Sequence, residues 1–204
     1  METQNIILII TSLLFISTAT AAETTAADAA TAVASSKTVY KTYLKTACNS
    51  TTFPKLCYSS LSPYTSTIKT SDLNLFKSAL TVSLKSAKKT YSLLKSISKK
   101  KALSKIDASV VKDCAEEVGD SIDEINQSLK ALASINGSSS DREFQIGNIK
   151  TWMSAAITDE TTCTDEFEEM DVSDSLKKKM TKSILNFHSL TTNALALVNK
   201  LYYY

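Results

Sequence analysis

Few residue types in this 204-residue chain could do chemistry, and the four cysteines are the ones whose spacing is informative. Cys48 and Cys57 lie close together, while Cys114 and Cys163 are far apart, each on the apolar stripe of a long helical pattern. Cysteines behind a secretory leader usually become disulfides. Oxidised thiols and a lone histidine, His188, make no zinc site, so no metal or other cofactor is expected. His188 sits beside Ser189 on one helical turn, which cannot orient a nucleophile, a base and an acid as a triad, and it reads as a helix-face histidine. Gly119, Gly137 and Gly147 form no phosphate-cradling loop. Carboxylates are plentiful, so glycoside hydrolysis is the acid–base chemistry to weigh. The acids read as exposed, however, and a compact helical bundle offers no sugar-sized cleft. The chain carries no candidate catalytic constellation and reads as a binding protein rather than an enzyme.

One row of acids stands out. Glu116, Asp120 and Asp123 step by four and three along a helical pattern, off its apolar stripe, and so share an outward face. That face is expected to offer no basic i,i+4 partner, and like charges at this spacing cost a few tenths of a kcal/mol each. Such a row is an array of acceptors for a partner's Lys, Arg or hydroxyl groups. Asn49-Ser50-Thr51, Asn126-Gln127-Ser128 and Asn136-Gly137-Ser138 fit the N-glycosylation triplet, with Asn136 in the best loop context and Asn126 in mid-helix. Trp152 and the Tyr202–Tyr204 end read as core edge and packed terminus.

The elements that must position these residues are helical. Residues 6–16 form a short apolar run, and Ala19-Thr20-Ala21-Ala22 follows as a small-residue cleavage site, so residues 1–22 read as a signal peptide. Residues 23–36 are Ala/Thr-rich and read as a flexible tail. Losing the leader removes one acid, Glu2, and moves the net charge from +2 to +3, too mild a balance to imply nucleic acid. No later apolar run reaches membrane length. Three Gly and two Pro argue against a turn-rich β fold.

Residues 37–48 and 53–62 read as two short helices, with Pro54 placed for a helix first turn. Four amphipathic patterns follow at about 72–99, 103–134, 143–170 and 173–201. Their apolar stripes include Leu73, Phe76, Leu80 and Leu84, then Val111, Cys114 and Val118, then Met153, Cys163 and Phe167, then Met180, Ile184 and Phe187. Ser140 and Glu143 have capping-box spacing at the start of the third. The expected fold is all-α: an up-down-up-down four-helix bundle (71–204) preceded by a helical hairpin (37–70) that a disulfide closes, together the domain 37–204. Four cysteines allow three connectivities and the chain alone leaves them open. Locality and helix geometry favour Cys48–Cys57 with Cys114–Cys163. Nine lysines and no acid lie between Lys77 and Lys105, and eight acids and no base between Asp159 and Asp174. The simplest expectation is that these two segments attract each other within the bundle.

Several segments resemble the plant invertase and pectin methylesterase inhibitor family. These are CNSTTFPKLCYSSL, VVKDCAEEVGDSIDEINQSL, IKTWMSAAITDETTCTDEF and NALALV, which together span about residues 37–201. The resemblance implies the same bundle, the same cysteine pairing, and a secreted, non-catalytic inhibitor of the cell wall or apoplast. Such an inhibitor is monomeric when free and binds one enzyme molecule across its substrate cleft. It further implies partner contacts at Glu116, Asp120 and Asp123 and at Thr162 and Asp165. Invertase inhibitors carry a Pro-Lys-Phe wedge before the third long helix, where this chain has Asp141-Arg142-Glu143-Phe144. Pectin methylesterase is therefore the expected target and acid invertase the alternative. A wall- or membrane-surface defence module is the alternative of another class. The bundle also occurs fused ahead of an esterase. This chain ends after it, so a free-standing inhibitor is expected.

Overall fold

The computed structural model describes residues 35–100, 103–135 and 138–200. The expected leader, most of the expected tail, Asn136, Gly137 and the tyrosine end lie outside them. Helix α1 covers residues 35–48. A turn leads into α2 (Pro54–Leu61), a 3-10 turn (Ser62–Tyr64) and the short α3 (Thr65–Ile68). Four long helices follow: α4 (Asp72–Ser98), α5 (Lys105–Ala133), α6 (Ser139–Glu169) and α7 (Asp174–Val198). Each long helix packs on two others, in the cyclic order α4–α5–α6–α7. This is the up-and-down bundle that the apolar periodicities require.

The helix boundaries follow from caps. Ser71 and Ser104 accept hydrogen bonds from Asn74 N and Asp107 N, and so start α4 and α5. α6 begins earlier than its apolar pattern suggests. Ser138, not Ser140, is its N-cap and Asp141 closes the capping box. The Ser-x-x-acid spacing occurs twice in this stretch, and the copy nearest the Asn-Gly break wins. Pro54 occupies the first turn of α2, where its missing N–H leaves no bond unmade.

Each stripe buries a continuous core: Phe76, Leu80 and Leu94 from α4, Val111 and Ile125 from α5, Ile149 and Phe167 from α6, Ile184 and Phe187 from α7. On α4 the buried line is rotated from the one expected. Leu73 is exposed and Leu84 only half-buried, while Leu75, Ser83, Thr90 and Ile97 are inside. Two small hydroxyl residues on that line let α4 approach α7. Thr90 Oγ1 lies 2.9 Å from Ser183 Oγ, and Ser83 Oγ lies 2.8 Å from Thr191 Oγ1.

The hairpin closes over one end of the bundle. Cys48–Cys57 ties α1 to α2. Asn193 on α7, almost fully buried, then holds the turn from below: Phe53 N donates to its Oδ1 at 2.9 Å and its Nδ2 donates to Phe53 O at 3.0 Å. Tyr43 OH donates to Asp72 at the start of α4, and Lys200 Nζ donates to Ala47 O at 3.2 Å.

The expectation that the acids are all exposed is wrong at Glu160. Its side chain is fully enclosed between α6 and α7. Thr191 Oγ1 donates to its Oε1 at 2.7 Å. His188 Nδ1 lies 3.3 Å from the other oxygen, Oε2. His188 is thus no simple surface residue but the lid on a buried carboxylate. Burial pushes Glu160 up to about 7, against the opposing pull of His188 and Thr191, with Asp159 adding to the rise. The hydrogen bond with Glu160 raises His188 in turn. A bare carboxylate at this position is costly, so the pair keeps a proton.

Two outcomes follow for stability. Breaking Cys114–Cys163, whose ends are 49 residues apart, should cost about 4 kcal/mol, and breaking Cys48–Cys57 about 2.6 kcal/mol, by loss of the loop constraint. Urea unfolding of the paired Cys→Ala variants reads that order. Glu160 and His188 both bind protons more tightly when folded. Their contribution is therefore complete at acidic pH and is lost as pH rises through about 7. The unfolding midpoint should be higher at pH 5.5 than at pH 8, and Glu160→Gln, which can keep the Thr191 bond, should shrink that gap. An unchanged gap in the variant would refute the assignment.

Candidate functional site

Catalysis is the first possibility the geometry settles. Ser83, Thr191, Glu160 and His188 form a hydroxyl–carboxylate–imidazole chain, but Ser83, Thr191 and Glu160 are fully buried. No substrate reaches them, and the chain ties α4, α6 and α7 together instead. No helix is long and apolar enough to cross a membrane, and no group of three acids or histidines could hold a metal, both among the described residues.

The surface with the most built-in chemistry lies along α5 and α6. Their register is fixed at two levels. Cys114 and Cys163 are joined with their Cα atoms 4.8 Å apart, and two turns along Ser121 Oγ donates to Ala156 O at 3.3 Å. The start of α5 is tied to α7 as well: Ser173 N and Ser173 Oγ donate to the two carboxylate oxygens of Asp107, at 3.0 and 2.9 Å.

On this frame Glu116, Asp120 and Asp123 are exposed, on one outward side of α5. Thr162 and Asp165 are exposed on α6. The row is not free of cations, contrary to expectation. Lys112 Nζ lies 3.1 Å from Glu116 and 3.9 Å from Asp113. Lys112 is four residues before Glu116, an i,i+4 pairing in the less favourable order. With all three side chains exposed, the cluster contributes little.

A second row was missed. Asp113, Glu117, Asp120 and Glu124 step by four, three and four along α5 and flank the buried line on the side of α6. Asp159 and Glu166 answer them from α6, with Thr162 between at the same spacing. Partial burial raises Glu124 to about 8, and the charge and hydrogen bond of Asp159 add to it. Two carboxyl groups can hydrogen bond only if one holds a proton, so Glu124 and Asp159 share one. Asp159 is raised by burial, while its bonds to Glu124 and Ser121 oppose the shift. Glu117 and Glu166 are raised by burial and then by their acidic neighbours across the seam. Glu124 Oε2 and Glu166 Oε2 are enclosed with no donor against them, which is the desolvation seen atom by atom. The 4-3-4 spacing was available in the sequence. Asp120 belongs to both rows, so the outward spacing masks the inner one.

The threonines of α6 add to the same character. Thr158, Thr161 and Thr162 donate their hydroxyl protons to the carbonyls one turn back, at 3.1, 2.8 and 3.1 Å. Their lone pairs are what remain outward. The α5–α6 face is therefore an acceptor surface, and its complement is rich in donors.

Of the glycosylation triplets, Asn49 is exposed in the turn after α1, and the hydroxyl of its Thr51 is buried on Cys48 O at 2.8 Å. Asn126 is half-buried in mid-α5.

Known proteins are similar to this chain in sequence and in fold. The family described as plant invertase/pectin methylesterase inhibitor matches residues 42–197. Pectinesterase inhibitor 4 of Arabidopsis thaliana is 39% identical over 160 residues, which cover 78% of this chain and 80% of that protein. The 21 kDa protein of Daucus carota is 36% identical over 158 residues, covering 77% and 82%. A mutant form of a pectin methylesterase inhibitor from Arabidopsis has the same fold at 20% identity, with a TM-score of 0.61 over 74% of this chain and 92% of that one. With the matched family spanning the hairpin and all four long helices, the chain belongs to the plant invertase/pectin methylesterase inhibitor family.

Proposed function

We propose that this chain is a secreted inhibitor of a plant pectin methylesterase, acting in the cell wall by seating its α5–α6 face across the enzyme's substrate cleft in a one-to-one complex. It performs no chemistry of its own; the blockage is steric. The observation that carries this reading is the acceptor surface of α5 and α6, held in register by a disulfide directly beneath it. Relatives named as pectinesterase inhibitors supply the target. Glu116, Asp120 and Asp123 on α5, with Thr162 and Asp165 on α6, are the proposed contacts, and Asn136, Asn49 and Asn126 are the proposed glycan acceptors, Asn136 first among them. Rigidity matters because a docking face ordered in advance loses little entropy on binding. Residues 141–144 lie within the first turns of α6 rather than in an extended Pro-containing wedge, which favours the esterase over invertase.

Titrating the pure protein into separate esterase and acid invertase assays tests the target: loss of esterase activity alone is expected, and loss of invertase activity alone overturns the assignment. Replacing Asp120 and Asp123 by Ala should weaken the esterase complex several-fold, on the order of 0.5–1 kcal/mol per carboxylate, with folding stability changed by less than about 0.5 kcal/mol. A large stability loss would make these acids structural.

The raised acids also set a pH dependence. Covering Glu117, Glu124, Asp159 and Glu166 with an esterase strips more of their water and raises them further, so binding takes up protons. Affinity should then rise as pH falls from 7.5 toward 5.5. Calorimetry at the two pH values reads this directly, and equal affinities would sink it.

A further inference from the structure

The acidic face has an opposite. Among the described residues no ion pair joins the lysine-rich and acid-rich segments, and α4 and α6 sit diagonally across the bundle. α4 and α7 together carry nine lysines and two aspartates, whereas α5 and α6 carry fifteen acids and five bases. The α4–α7 seam is also open. A groove of about 400 Å³ runs along it beside Thr90 and Ser183. Past Lys179 it meets a second of about 310 Å³ that reaches Lys100.

Lys89, Lys179 and Lys182 line the first groove. All three are exposed, and none pairs with a carboxylate among the described residues. Between them the side chains bridge the seam: Thr90 to Ser183, and Asn186 Nδ2 donating to Ser86 Oγ at 3.1 Å. The one acid in either groove is Asp107 in the second, and both its oxygens are taken by Ser173.

We propose that this groove is a docking site for a linear polyuronate, a de-esterified stretch of pectin. Unpaired ammonium groups match carboxylates repeated along a chain. The hydroxyl and amide bridges match sugar hydroxyls, and Leu93 gives the floor an apolar patch for a sugar's C–H face. The groove runs with the helix axes, so it suits an extended polymer. Nucleic acid fits less well, since no aromatic platform or arginine lines either groove. A bilayer also fits less well. Leu73 and Leu185, the exposed large hydrophobic side chains of α4 and α7, line neither groove and offer no apolar wedge there. The choice of polyuronate among polyanions rests on the esterase reading, since that reaction turns methyl esters into carboxylates. On this proposal one face engages the enzyme while the opposite face holds the enzyme's product.

The test uses the full chain with no esterase present. Binding to polygalacturonate, to highly methyl-esterified pectin and to phosphatidylserine vesicles is measured by calorimetry. Polygalacturonate should bind best and should weaken as salt rises beyond roughly 0.1 M. The triple change Lys89→Ala, Lys179→Ala, Lys182→Ala should weaken it about tenfold, and the Lys→Arg triple should restore most of the loss. Equal binding to esterified pectin, tighter binding to vesicles, or no loss in the Ala triple overturns the proposal. Esterase complex formation on size exclusion is scored separately. Its failure alone refutes the inhibitor reading, and a failure of polyuronate binding alone refutes only the groove.

Discussion

The rest of the molecule depends on holding α5 and α6 together although their charges push them apart. Asp113, Glu117, Asp120 and Glu124 confront Asp159 and Glu166 along one seam, and each pair of ionised neighbours opposes the packing of the two helices. Three things oppose that repulsion. The apolar line beneath, with Val111, Val118, Met153 and Phe167, is fully buried. Glu117, Glu124, Asp159 and Glu166 hold protons above their ordinary range, which lowers the charge. Cys114–Cys163 makes separation of the helices impossible at its own level. A covalent link matters most where the noncovalent seam is least favourable, because it does not weaken when the carboxylates ionise.

The α5–α6 surface is patterned by the sense of its hydrogen bonds. Back-bonded threonines and ionised carboxylates leave acceptors outward on α5 and α6, while lysine ammonium groups dominate α4 and α7. Opposite charges sit on opposite sides instead of cancelling across a shared interface. The cyclic packing order allows this, because it makes α4 and α7 neighbours along one side and α5 and α6 neighbours along the other.

Much of the architecture was legible in the residues. Three-and-four spacing of Met180, Ile184 and Phe187 can be satisfied only by a helix with one buried side, and four such stripes with short links give a bundle. The cysteines on two of those stripes pointed inward together. What periodicity could not reveal was rotation. Leu73 fits the α4 stripe by spacing yet lies outside, because Ser83 and Thr90 are small enough to be drawn in against α7. Nor could it reveal Glu160. A carboxylate between Asp159 and Thr161 on a strongly acidic helix reads as solvated, and only the arrival of Thr191 and His188 from a helix thirty residues later makes its burial possible. The seam of raised acids was hidden for a related reason. Its members alternate with core positions, so they look like ordinary flanking residues until a second acidic helix is laid beside them.

The anchoring of the N-terminal hairpin has a consequence for chemical ageing. Asn193 makes a donor bond and an acceptor bond to the same residue, Phe53, so its two side-chain atoms are not interchangeable. Hydrolysis of that amide would leave an aspartate of nearly the same volume and shape. Its second oxygen would then face the Phe53 carbonyl, oxygen against oxygen, in a space with almost no water. A change invisible to packing would turn the hairpin's clasp into a point of repulsion.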